Sequence, residues 1–126
     1  MLIYTAGLYS RNTKGERASL DEIEDNVAHA AKVAARLWIA GHSVICPHTN
    51  THRMADFAPQ ITPEEWVDGD LVQIARCDAI FMLRGWEISP GAIRELECAE
   101  ENGLEVYHED SPVDPILLGI EKERTL

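Results

Sequence analysis

Ala79-Ile80-Phe81-Met82-Leu83 is an unbroken apolar run, followed after a short polar loop by Ser89-Pro90-Gly91-Ala92 and then by a helical pattern that stops at Gly103. Apolar residues side by side, rather than alternating with polar ones, mark a strand covered on both faces, as in the middle of a parallel sheet. Ser89 is suited to cap the helix that follows, Pro90 to occupy its first position, and Gly103 to end it. Leu104-Glu105-Val106-Tyr107 then reads as a further strand. The unit predicted here is strand, helix, strand.

Working outward, the same pattern repeats. Leu2-Ile3-Tyr4-Thr5-Ala6 is a short β-branched and aromatic strand that enters a tight loop at Gly7. From Asn26 to Ala40, polar Asn26, His29, Lys32 and Arg36 recur at helical spacing while Val27, Ala30, Ala31, Ala34, Leu37 and Trp38 fill the other positions, and Gly41 ends the segment. Ser43-Val44-Ile45-Cys46 is a second strand closed by Pro47, and Glu64 to Arg76 a helix started by Pro63. Ser10 to Asp21 and His52 to Pro63 read as flexible stretches, and a last short helix is expected after Pro115. The order predicts one domain over 1–126: a three-layer α/β fold, flavodoxin-like or Rossmann-like, with a four- or five-stranded parallel sheet. Ligands of such sheets bind beyond the carboxyl ends of the strands, here the loops Gly7–Arg11, Pro47–His52 and Arg84–Gly91.

The chain has 126 residues, 22 acidic and 11 basic, for a formal net charge of -11. Such an excess repels nucleic-acid polymers and acidic membrane surfaces, and no run of Lys or Arg offsets it locally. A small anion remains acceptable, because backbone N–H groups at a helix start can bind it at short range. Three cysteines, Cys46, Cys77 and Cys98, with no C-x-x-C pair and no signal peptide ahead of them, suggest a reduced, cytoplasmic protein. No apolar run reaches the ~20 residues of a membrane helix.

Two acids stand on apolar faces. At 100° per residue, Glu95 falls with Ala92, Leu96 and Ala99, whereas Arg94, Glu97 and Glu101 fall opposite. Asp70 falls with Trp66, Ile74 and Cys77. Either acid alone is accounted for by a hydrogen bond to a neighbouring loop. Two beside the same central strand point to one cleft, because a carboxylate facing a core is costly unless paired or solvated. Paired carboxyls in a partly apolar cleft separate their pKa values and divide labour as nucleophile and proton donor, the chemistry of glycosidic bond cleavage. Ser89, Gly91 and Ala92 offer a helix start to a phosphate or sugar hydroxyl, and Trp86 either presents an aromatic face to a planar base or caps the core, with stacking the preferred expectation.

Asp70 to Asp78, the apolar strand, and Gly-Trp-Glu-Ile-Ser-Pro-Gly-Ala-Ile-Arg-Glu-Leu-Glu-Cys-Ala over 85–99, together with Ile3-Tyr4-Thr5-Ala6-Gly7, resemble the signature of the nucleoside 2-deoxyribosyltransferase superfamily, which includes 2'-deoxynucleoside 5'-phosphate N-hydrolases and cytidylate N-glycosidases. The resemblance covers about residues 2 to 107. It implies that Glu95 is the nucleophile at the anomeric carbon, Asp70 the acid beside the base, and Tyr4 the residue that orients Glu95. It further implies that Ser89 contacts phosphate and that His48 lies beside the base. Gly7, Ser10 and Arg11 match the substrate loop with a displacement: the hydrolases follow the glycine turn directly with their serine and arginine, whereas here Leu8 and Tyr9 intervene. The Trp86-Glu87 pair is similar to an often phage-associated branch.

The expectation is an N-glycosidase acting on a nucleoside 5'-monophosphate, hydrolase rather than transferase, with no cofactor and no metal, in a homo-oligomer. Its rivals are a transferase acting on free nucleosides, a glycohydrolase of a nicotinamide dinucleotide, and a non-catalytic nucleotide sensor. A metal site at His42, Cys46, His48 and His52 lacks the spacing of a recognised zinc pattern.

Overall fold

The computed structural model describes residues 1–111; the short helix expected after Pro115 lies outside the described residues. Four strands, β1 (Leu2–Ala6), β2 (Ser43–Ile45), β3 (Ala79–Met82) and β4 (Glu105–His108), form one all-parallel sheet in the order β2-β1-β3-β4. Helices α1 (Leu20–Ile39), α2 (Pro47–Thr51), α3 (Met54–Phe57), α4 (Pro63–Ile74) and α5 (Pro90–Glu101) connect and cover them. This is the expected three-layer, flavodoxin/Rossmann-like arrangement, with four strands among the described residues.

Alternation along the central strands divides the core. Ile3, Ala79 and Phe81 pack with Ala30, Val33, Ala34 and Leu37 of α1. Tyr4, Ala6, Ile80 and Met82 pack with Ile74 of α4 and Ala92 and Ala99 of α5. Every residue of β3 is buried, which is why its sequence is apolar throughout instead of alternating. Among the described residues no helix is long and apolar enough to cross a membrane.

Capping sets the helix starts. Ser19 and Thr62 each make a reciprocal capping box with the glutamate three residues on, Glu22 and Glu65, so α1 begins six residues before the expected Asn26 and α4 at Pro63. The Asn26 side chain, expected on the solvated face, turns back and donates to the carbonyls of Tyr9 (2.9 Å) and Arg11 (3.0 Å). Asn12 Oδ1 accepts from the amides of Lys14 and Glu16 at 2.9 and 3.0 Å, so Ser10–Asp21, expected to be flexible, is a braced loop. His52–Pro63 likewise differs from expectation: α3 forms inside it, and α2 precedes it where a loop after Pro47 was expected. Proline is compatible with a first helical turn as well as with a strand end, and α2 (five residues) and α3 (four residues) are too short to carry a periodic signal. Trp38, assigned to the apolar side of α1, is 52 % exposed.

At the carboxyl edge of the sheet the loops pack closely. A Cβ on Gly7 would lie 2.7 Å from Leu83 Cβ, so the chain leaving β1 passes β3 only because position 7 has no side chain. Gly85, at φ +88°, turns the chain out of β3 into a single 3-10 turn at Trp86–Ile88.

Candidate active site

Four elements deliver the unusual side chains to one place. β1 points Tyr4 toward the α4 and α5 side of the sheet, where the hydroxyl donates to Oε2 of Glu95. Glu95 is on the buried face of α5 with Ala92 and Ala99 and is only 6 % exposed. Asp70, half-buried, comes from the third turn of α4, and His48, buried, from α2. The sequence-level expectation that two acids on apolar faces meet in one cleft describes this geometry.

Burial dominates the electrostatics. It pushes Glu95 up from 4.5 to about 8; the charge of Asp70 adds to the rise, while the Tyr4 hydrogen bond and the field of His48 oppose it. Asp70 is raised to about 6 by burial, with Tyr4 and His48 again opposing. Tyr4 itself is held well above its ordinary value by burial and by both carboxylates. The two carboxyls titrate as a pair, which between about pH 6 and 8 carries one proton.

Behind this pair lies a second one. His48 Nε2 is 2.8 Å from the carbonyl oxygen of Leu8 and therefore carries the proton it donates there. Burial disfavours a charged His48, but Cys46 and the Leu8 carbonyl outweigh it and its pKa is raised. Burial likewise opposes a Cys46 thiolate, yet hydrogen bonding to His48 and Thr5 brings the thiol down to about 7. His48 Nδ1 and Thr5 Oγ1 make no other hydrogen bond. The result is an incipient thiolate–imidazolium pair next to the carboxyls.

A cavity of about 620 Å³ opens onto these groups, within the range of small-molecule sites. Asp70, Glu95 and His48 line it, with Gly7, Ser10 and Arg11 from the loop after β1 and Ser89, Gly91 and Ala92 from the start of α5. Ser89 Oγ accepts from the Ala92 amide at 3.2 Å, leaving its own proton to donate. Arg11 Nη1 donates to the Gly15 carbonyl at 3.1 Å while the side chain borders the cleft. A second cavity of about 470 Å³, beside α1 and β2, has Cys46 as the sole titratable group of its lining, so the cluster of titratable side chains belongs to the first.

Two expected site residues stand elsewhere. Tyr4 does not line the cleft; it is fully buried and reaches it through Glu95. Trp86 is absent from the lining: after the turn at Gly85 its indole packs against the core beneath α4 and α5, with its ring centre 5.8 Å from that of His108. Besides His48, the aromatic side chains lining the cleft are Tyr9 and Trp66; Trp66 stands one helical turn before Asp70 on the same face, accompanied by Ile61, Pro63 and Val67. That i, i+4 relation was visible in the sequence but was assigned to core packing. Arg94, assigned to the outer face, is exposed and pairs with Asp68 at 2.7 Å, yet it borders the mouth. Tyr9, also unforeseen, hydrogen-bonds His52 Nδ1 at 2.7 Å, and His52 Nε2 in turn meets Glu24 at 2.9 Å.

The histidines considered for a metal thus have separate partners: His42 meets the Met1 amino group at 3.0 Å, His52 bridges Tyr9 and Glu24, and His48 faces Leu8. Among the described residues no group of three or more His, Cys, Asp or Glu is arranged to hold a metal ion.

No curated protein matches the chain. One family model matches it over residues 3–108, a span from β1 to the end of β4 that includes every residue of the cleft, and on that match the chain belongs to the domain of unknown function family DUF4406.

Proposed function

We propose that the protein is an N-glycosidase that cleaves the base–sugar bond of a nucleoside 5'-monophosphate. The observation that carries this reading is the buried Glu95 carboxyl, held by the Tyr4 hydroxyl and facing a cleft that it shares with Asp70. A structural acid has no reason to border a cavity of nucleotide size, and a Tyr–Glu contact fixes the carboxyl's orientation as a nucleophile requires. The resemblance to the nucleoside 2-deoxyribosyltransferase superfamily, carried by Tyr4, Asp70, Ser89 and Glu95, supports the same reading.

In the proposed reaction ionised Glu95 attacks the anomeric carbon as the C–N bond breaks, and protonated Asp70 gives its proton to the leaving base. Water, deprotonated by Asp70, then releases the sugar from Glu95, with net retention. The pKa order means that in the empty cleft the shared proton rests on Glu95, not Asp70. Moving that proton from Glu95 to Asp70 is therefore part of the barrier. Developing positive charge on the sugar favours ionised Glu95 and offsets this. The phosphate is assigned to Ser89, Gly91 and Ala92 at the start of α5, with Arg11 and Arg94 at the mouth.

The test is incubation with ribo- and deoxyribonucleosides and their monophosphates, reading free base by chromatography, beside Glu95→Gln. Base released from a monophosphate by the wild type and not by the variant is the expected result. Release from free nucleosides alone would remove the phosphate assignment, and tight binding without release would favour a sensor.

A further inference from the structure

We infer that Trp66 is the stacking platform for the leaving base and that the site takes purines in preference to pyrimidines; this rests on the proposed glycosidase reading of the cleft. Three observations lead there. Trp66 is half-buried, belongs to neither hydrophobic cluster of the core, and lines the cleft, so its ring serves the cavity and not the packing of α4. An indole in such a place, among Ile61, Pro63 and Val67, is an apolar slot suited to a flat heterocycle.

The position of Trp66 relative to the proton donor sets the size of that heterocycle. Residues four apart on a helix stand slightly more than one turn, about 6 Å, apart along the axis. A ring system that receives a proton from Asp70 and also covers Trp66 must bridge that interval, which a fused two-ring base does better than a single ring. On α5, a Cβ on Gly91 would lie 3.5 Å from Val67 Cγ2, so α4 and α5 approach closely where both border the cleft.

The third observation is what the lining omits. Among the described residues no Asn or Gln side chain lines the cleft. Amide side chains match base edges bidentately, as seen with adenine; the polar side chains that do line the cleft include Ser10, Thr51 and Glu64, and stacking area is the contact that Trp66 adds. Stacking tolerates exchange of one base for another, and a fused two-ring base buries more apolar area than a single ring, which ranks purines above pyrimidines.

Binding to the Glu95→Gln protein, which cannot turn substrate over, tests this by calorimetry and intrinsic fluorescence with adenosine, guanosine, cytidine and uridine 5'-monophosphates. Both purine nucleotides should bind tighter than both pyrimidine nucleotides and quench tryptophan emission. Adding Trp66→Phe should abolish the quenching while keeping most of the binding, since Trp38 and Trp86 remain as emitters away from the cleft. Adding Trp66→Ala should weaken purine binding by about 5- to 150-fold and compress the purine-to-pyrimidine ratio. Equal or tighter pyrimidine binding, undiminished quenching in the Trp66→Phe protein, or an unaltered affinity in a folded Trp66→Ala protein would each overturn the inference. Because these readouts need no catalysis, the failure of either reading is distinguishable from failure of the other: quenching and purine preference without base release would refute the glycosidase alone, and base release indifferent to Trp66 would refute the platform alone.

Discussion

Replacing Glu95 by Gln should stabilise the fold in a pH-dependent manner. The substitution keeps shape and an acceptor for the Tyr4 hydroxyl but removes the ionisation. In the native protein Glu95 is raised from 4.5 to about 8, chiefly by burial. A raised native pKa means that the folded state holds its proton more tightly than the unfolded one, so Glu95's contribution is intact below about pH 4.5 and is lost as pH rises toward 8. Linkage over that interval gives a wild-type penalty near zero at pH 4, about 3 kcal/mol at pH 7 and approaching 5 kcal/mol at pH 9. The measurement is urea unfolding of both proteins at unit pH steps from 4 to 9. With urea slopes of about 1–3 kcal/mol/M, the midpoint of the Gln variant should exceed that of the wild type by about 1 M or more at pH 7 and match it near pH 4. A stability difference that does not change with pH would refute the assignment of a buried, proton-holding Glu95, whatever the activity does.

The remaining expectations are shorter. The rate of base release, as kcat/KM, should be bell-shaped with limbs near pH 6 and 8, because the working pair carries one proton: below the first limb both carboxyls are protonated, above the second neither is. Tyr4→Phe should lower the rate and move the alkaline limb to higher pH, since the Tyr4 hydrogen bond holds Glu95 down; a limb that moved to lower pH would contradict this. Thiolate absorbance near 240 nm should show a titration step around pH 7 that vanishes in Cys46→Ala, while Cys77, raised by burial to about 11, adds nothing there. Gly7→Ala should cost about 1–3 kcal/mol in unfolding experiments, because its Cβ would stand 2.7 Å from Leu83 Cβ and neither atom belongs to a flexible side-chain end.

How far the sequence carried these conclusions varied with the physics of each segment. β3 was legible because a strand buried on both faces is apolar throughout, and α5 because Ser89, Pro90 and Gly103 mark its ends by local chemistry. Glu95 was legible for the same reason: one acid on an otherwise apolar helical face is visible to periodicity alone, and the structure buries it with Ala92 and Ala99. Helices α2 and α3 were not legible, because at five and four residues they are too short to show a pattern of their own.

The two tryptophans show the limit most clearly. Both are large apolar residues near the expected cleft, and nothing local separates them. Trp86 faces the core because Gly85 adopts a left-handed turn, whereas Trp66 faces the cavity because α4 places it above Asp70. By itself, then, the sequence determined the order of the four strands and the three long helices, the parallel sheet and the two inward acids, all of which follow from local periodicity and capping. Tertiary structure alone decided that Trp66 and Tyr9, not Trp86, border the cleft, that Tyr4 reaches it only through Glu95, and that Cys46 and His48 form a pair near the carboxyls. Those facts depend on residues far apart in the chain sharing one low-dielectric volume, where burial sets both their contacts and their proton affinities.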